Sequence, residues 1–288
     1  MAVDYAVFII SHNRADRVIT YKTLRMDGYT GSIYIVIDNE DEQADKYYQK
    51  YGRDSVIMFD KQEVSKMVDR MDINDNLGSP VYVRNEIYNI AAKLGLEYFI
   101  MLDDDYTGFY YRMDNNYNYV NKDIGNLDML FESSMRYYAS IDALAIAWAQ
   151  SGDFIGGAEN GILGNVYRRR KAMNVWFCST ARRIKWVGTL NDDVNTVLVE
   201  SQRGGLFLTI PFVIVMQQRT QQHEGGITER YLSDGTYVKS FYSVMCAPSC
   251  CTVSVMGVTN KRMHHAIRWA NAVPMIVSEA YRKLINES

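Results

Sequence analysis

Residues 98–106 read YFIMLDDDY, an apolar run that ends abruptly on three aspartates. An unbroken apolar run of this length, closed by polar residues, is expected to be a strand buried on both faces. The C-terminal ends of such strands are where open α/β sheets collect their ligands. Asp103, Asp104 and Asp105 are therefore expected on a binding edge. Three neighbouring carboxylates repel one another, and a divalent cation is the usual reason to tolerate that. Asp103 and Asp105 stand two apart, which at a strand end points both to one side. They are the expected metal ligands, for Mn2+ or Mg2+. An acidic, solvated turn is the plainer reading.

The flanking sequence repeats the pattern. Residues 4–10 (DYAVFII), 32–37 (SIYIVI) and 55–59 read as strands, each closed by polar residues. Helices are expected over 16–26, 41–50 and 83–94, the last with Gly95 as its C-terminal cap. Strands alternating with helices imply a parallel sheet with right-handed crossovers. The ends Ser11-His12-Asn13-Arg14, Asp38-Asn39 and Asp103-Asp104-Asp105 then share one edge and converge on one cleft. Residues 61–80 resist assignment. In the second half, helices are expected over 127–138, 191–203 and 274–285, and strands over 143–149, 175–178 and 206–216. With 288 residues, 48% of them hydrophobic, and only 4 prolines, the chain has material for a large core and no evident linker or repeat.

Charge and cysteine use narrow the class. The net charge of -3 gives no whole-protein field for nucleic acid, so such contacts would need a local patch. Arg168–Lys171 and Arg182–Lys185 are the two candidates, although a basic run is more often a solvated face. The 4 cysteines have no metal-ligand spacing and suit a reducing compartment. The first strand begins almost at once without a basic leader, and no apolar stretch reaches membrane length. A cytoplasmic protein without membrane contact is expected. No phosphate loop of the GxxxxGK type is present.

The order of these motifs resembles a GT-A glycosyltransferase. The residues that carry the likeness are His12-Asn13-Arg14, Asp38, Arg84-Asn85, Asp103-Asp104-Asp105, the acidic Asn191-Asp192-Asp193 opening a helix, and a late histidine, His264 or His265. The segments GGAENG (156–161), KWVGTLNDDVNT (185–196), TQQHEGG (220–226), GTYVKSFYSVMCAPS (235–249) and RMHHAIRW (262–269) are similar to the TET/JBP-associated glycosyltransferases, mostly phage enzymes. The resemblance implies an α/β fold of GT-A type, a mixed, mostly parallel sheet flanked by helices. It implies one domain over 1–288, with a nucleotide-sugar and metal half (1–110) and an acceptor and catalytic half (111–288). The implied donor is a UDP-sugar, UDP-glucose being favoured. The implied acceptor is a hydroxymethylated pyrimidine in double-stranded phage DNA, modified in the cytoplasm of the infected cell.

Roles follow on that footing. His12, Asn13, Arg14, Asp38, Arg84 and Asn85 are assigned to the nucleotide, arginine because its forked guanidinium matches phosphate. Asp104 is expected to touch the donor ribose or sugar. A late histidine completes the metal shell in this resemblance; an extended segment would aim neighbours to opposite faces, so only one of His264 and His265 can serve, and His265 is preferred. Asp192 is preferred to Asp193 as general base, and either could simply cap its helix. Gly156 and Gly157 would let backbone approach the sugar, or form a plain turn. The segment 221–226 would be a loop that orders on donor binding. Three alternatives stay open: a non-DNA acceptor, a nucleotidyltransferase releasing pyrophosphate, and a binding module without turnover.

Overall fold

The computed structural model describes residues 3–72, 76–154, 157, 171–218, 238–256 and 261–272. Nine strands form one sheet in the order β3-β2-β1-β4-β8-β7-β9-β5-β6. The first four are β1 (Tyr5–Ile10), β2 (Ile33–Asp38), β3 (Val56–Phe59) and β4 (Tyr98–Asp103). They pair in parallel, as expected. Then follow β5 (Tyr106–Met113), β6 (Tyr119–Asp123), β7 (Ala145–Gln150), β8 (Asn174–Ser179) and β9 (Phe207–Gln217). The pairings β4–β8, β8–β7, β9–β5 and β5–β6 are antiparallel, so only β5 and β8 run against the other strands. The sheet is thus mixed but mostly parallel in direction.

β4 lies inside the sheet between β1 and β8, and this explains its unbroken apolar sequence. Side chains alternate faces along a strand. Ile100 and Leu102 join one core layer with Ile9, Ile35, Phe131 and Trp148. Phe99 and Met101 join the opposite layer with Phe8, Val36, Ile87 and Trp176. Helices α1 (Ile19–Met26), α2 (Ala44–Tyr51) and α5 (Leu127–Ala139) cover the first layer; α4 (Val81–Lys93) and α6 (Asp192–Gln202) cover the second. α4 ends as expected: Gly95 takes φ 74°, its N–H donates to Ala92 O and Leu96 N–H to Ala91 O, closing the last turn.

Several elements differ from expectation. The first helix splits into a 3-10 turn (Ala15–Arg17) and α1. The unassigned stretch holds α3 (Lys61–Ser65), capped by the Asp60 side chain accepting from Glu63 N–H at 3.0 Å. The hairpin β5–β6 has no clear periodicity in sequence. It forms because β5 is held along β9. A helix over 238–246 (α7), a second hairpin of β10 (Cys251–Met256) and β11 (Arg262–Ile267), and the short α8 (Trp269–Ala272) complete the described chain. The expected helix over 274–285 and the segment 221–226 lie outside the described residues. Among the described residues no helix is long and apolar enough to cross a membrane.

Candidate functional site

The C-terminal ends of β1, β2 and β4 open on a cleft of about 800 Å3. Its floor is the acidic turn between β4 and β5. Its far wall is built from the start of α6, the end of β9, α7 and β11.

The β1 and β2 ends form a linked polar set. His12 Nδ1 lies 2.8 Å from Asp38 Oδ2, and Lys61 Nζ lies 2.8 Å from Asp38 Oδ1. Lys61 is only 5% exposed, so its charge is held inside the cleft wall. Burial raises the pKa of Asp38, but the hydrogen bonds from His12 and Lys61 outweigh burial and leave it below the ordinary value. Asn13 takes φ 54°, a left-handed conformation asparagine tolerates. Its amide N–H donates to Asp41 and its Oδ1 accepts from Glu42 N–H. Asn13 thus shapes the loop.

The acidic turn is strapped from behind by α1. Thr20 Oγ1 donates to Asp103 O at 2.6 Å and accepts from Tyr106 N–H at 2.9 Å, while Thr20 N–H donates to Asp104 O. The three carboxylates then part. All three line the cleft, Asp103 and Asp105 half-buried. Asp104 turns inward at 4% exposure, accepting from Ser11 Oγ at 2.6 Å and Arg14 Nη1 at 3.0 Å. The sequence expects Asp104 to touch the donor ribose or sugar; here its carboxylate is held by Ser11 and orients Arg14. Burial, then repulsion from Asp103 and Asp104, pushes the Asp105 carboxyl up to about 7. A cation beside Asp105 would relieve that repulsion.

Arg84 is neither a surface residue nor free for phosphate. It is 5% exposed, with Nη2 3.1 Å from Asp103 Oδ1 and Nε 2.9 Å from Asp192 Oδ2, and its guanidinium lies over the Trp186 ring. The Nε contact is ionic, without the alignment of a hydrogen bond. Arg84 therefore bridges the acidic turn and the first residue of α6. Burial raises the pKa of Asp192, Arg84 lowers it, and the neighbouring Asp193 and Asp103 raise it again, with a net rise. Asp193 also lines the cleft.

Asn191 sits just before α6 at φ 54°. Its Nδ2 donates to Lys239 O at 2.8 Å and lies 3.4 Å from His265 Nδ1, so it pins α7 and β11 to the cleft. His264 and His265 do not separate to opposite faces. Their rings tilt against each other with centroids 4.3 Å apart, and both line the cleft. A bulge places Val175 at φ 52° in β8, where β7 and β8 shift register. Such bulges re-aim neighbouring side chains. Here Asn174 reaches the cleft and bonds Gln150 at 3.0 Å.

Two nucleotide assignments do not meet the cleft. Asn85 Nδ2 donates to Val81 O and Trp186 O, and Asn85 Oδ1 accepts from Trp186 N–H. Asn85 is a clamp between α4 and the segment before α6. Asn85→Ala should lower stability by about 2 kcal/mol, because buried backbone partners lose their bonds, and should leave donor KM unchanged; thermal unfolding and steady-state kinetics check this. Gly157 takes φ 59° beside Tyr119 and is not among the described cleft-lining residues, and Gly156 lies outside the described residues. Of the basic runs, 168–170 also lie outside. Arg182 is bound to Ile141 O and Ala143 O, and Arg183 to Asn89 and Asn85 O. Arg182 and Arg183 are thus tied to neighbouring elements, while Arg183 and Lys185 are exposed.

Among the described residues no three His, Cys, Asp or Glu side chains gather closely enough to hold a metal ion alone. The donor set still suits a hard cation. Asp103 and Asp105 offer carboxylate oxygens at the cleft, and Mg2+ or Mn2+ is commonly held by one or two carboxylates together with substrate phosphates. Tyr47, Thr20 and Lys61 were not singled out from sequence. A hydroxyl, or a lone lysine after an unassigned strand end, carries no spacing signal.

A family model described as TET-Associated Glycosyltransferase matches residues 5–226. The chain belongs to the TET-associated glycosyltransferase family. Membership, with the sheet described above, bears out the GT-A type of fold. No curated protein matches. Among solved structures, S. aureus TarS 1-349 in complex with UDP-GlcNAc is 11% identical, with a TM-score of 0.45 over 77% of this chain and 60% of that one. A mannosyltransferase from Pyrobaculum calidifontis in complex with GDP-Man and Mn2+ is 11% identical, with a TM-score of 0.47 over 85% and 65%. A cytidylyltransferase from Leptospira borgpetersenii is 11% identical, with a TM-score of 0.38 over 84% and 87%. The chain spans 60% and 65% of the first two of these structures. In the TET-associated glycosyltransferase described here, the edge, the acidic turn and the α6 acids form one site.

Proposed function

We propose that this chain moves a sugar, glucose first among candidates, from a UDP-sugar to the hydroxymethyl oxygen of a pyrimidine in double-stranded DNA. The observation that carries the reading is the meeting of the acidic turn, Arg14 and Asp192 in one cleft. His12, Asp38 and Lys61 offer donors and an acceptor for the nucleoside, and Arg14 offers a forked cation for phosphate. A divalent cation, held through Asp103 and Asp105, would offset charge on the departing diphosphate.

Asp192 is placed as general base. It takes the proton from the acceptor hydroxyl as the oxygen–C1 bond forms and the C1–phosphate oxygen bond breaks. A single displacement of this kind inverts the anomeric carbon. A raised carboxyl pKa improves a base working near neutral pH. Arg84 holds Asp192 in place and balances its charge. A base inside duplex DNA has to leave the stack to reach such a cleft. The family resemblance supports the DNA acceptor, and the net charge of -3 asks that local groups bind it.

The test is UDP release from a panel of UDP-sugars with Mn2+ or Mg2+, with and without hydroxymethylated duplex DNA. Release that this DNA stimulates, and that EDTA or Asp103→Asn abolishes, is the expected result. Release indifferent to DNA would remove the DNA acceptor. Pyrophosphate in place of UDP would identify a nucleotidyltransferase.

A further inference from the structure

Beside the α6 acids Asp192 and Asp193, part of the cleft lining differs in charge from the acidic floor. Lys171, Lys239, His264 and His265 make up that part. Each comes from a different part of the chain: Lys171 precedes β8, Lys239 lies on α7, and the histidines lie on β11. Asn191 ties two of these parts together by donating to Lys239 O and facing His265. The described acid nearest Lys171 is Asp153, 3.7 Å away, which also accepts from Gln150 N–H.

This arrangement bears on the tautomer of His265. The bond to Lys239 O fixes which end of the Asn191 amide is Nδ2. Its second hydrogen faces both Ser243 Oγ and His265 Nδ1, each 3.4 Å from Nδ2; where the ring accepts it, the ring proton sits on Nε2. Moving the proton to Nδ1 would set two N–H groups face to face. A neutral His265 bonded in this way offers the cleft an N–H donor. A metal ligand must offer a bare nitrogen lone pair.

We propose that Lys171, Lys239 and the His264–His265 pair form a subsite for a phosphoryl oxyanion, and that His265 donates to this anion rather than binding the cation. The subsite deepens the glycosyltransferase reading and rests on it for the identity of the phosphate. Both a donor diphosphate and a DNA backbone phosphate present this chemistry.

Calorimetric titration of the whole chain in EDTA separates the sources. The probes are inorganic pyrophosphate and a short unmodified DNA duplex. In Lys171→Gln and Lys239→Gln, pyrophosphate Kd should rise about tenfold, since a charge-assisted hydrogen bond is lost, while Lys239→Arg should stay near the parent. His265→Gln, which keeps an N–H donor, should bind better than His265→Leu. If the duplex weakens instead and pyrophosphate does not, the subsite stands and serves the DNA backbone. Two outcomes overturn it: a Lys171→Gln/Lys239→Gln double variant of unchanged melting temperature that binds both probes within twofold of the parent, or a parent that binds neither until Mn2+ is added. Absence of sugar transfer from every donor would sink the glycosyltransferase reading and leave these titrations intact.

Discussion

Asp192→Asn should lower kcat by about two to four orders of magnitude, the usual worth of a general base, with donor KM nearly unchanged. Asparagine keeps the shape of the side chain, and Arg84 retains Asp103 as partner. The loss would therefore report on proton transfer more than on folding, which equal melting temperatures would verify. The parent should also show an acid limb in its kcat profile at a higher pH than an ordinary carboxylate would give. The sign follows from the site: the base acts only when ionised, and burial with the Asp193 and Asp103 charges raises its pKa despite Arg84. A large loss in Asp193→Asn with little in Asp192→Asn would transfer the role to the neighbour. A product of retained anomeric configuration would remove the base altogether.

The second large effect concerns stability without metal. Asp105 is pushed from the ordinary 3.8 to about 7 by burial and by its two aspartate neighbours. A carboxyl whose folded pKa is raised contributes stability below its unfolded pKa, and that contribution disappears as the pH rises through the folded value. In EDTA the parent should thus lose stability between about pH 4 and about pH 7. Asp105→Asn should stabilise the protein at pH 8 by a few kcal/mol, each pKa unit being worth about 1.4 kcal/mol. The gain should vanish below about pH 4. Thermal unfolding at the two pH values reads this directly. Mn2+ should raise the melting temperature of the parent at pH 8 far more than that of the variant. A variant less stable than the parent at pH 8 would show that the Asp105 charge is already compensated.

The sequence by itself determined which polar strand ends share one edge. Strand identity depends on local apolar runs, and the ends of parallel strands share an edge whatever their exact order. Ser11–Arg14, Asp38 and Asp103–Asp105 could thus be brought together from spacing alone, whereas the acids that open α6 joined them only through the family resemblance. Caps such as Gly95 are equally local, because a left-handed residue after the last turn is a property of a few neighbouring bonds. The hairpin β5–β6 was not legible: its order comes from pairing with β9, about a hundred residues later, and not from a pattern within it.

Only the tertiary structure decided which way each polar side chain points. Asp104 and Asp103 are neighbours with the same chemistry, yet Ser11 and Arg14 draw one inward while Arg84 holds the other at the cleft. Adjacent Arg84 and Asn85 part likewise, one bridging two carboxylates and one clamping Trp186. His264 and His265 lie on one strand but share one space, because Asn191 and α7 close on them from elsewhere in the chain. A residue's type fixes which bonds it can make. Which partner it finds depends on register and packing across the sheet, where a buried charge or amide takes the nearest complementary group because leaving it unpaired costs more than any local preference supplies.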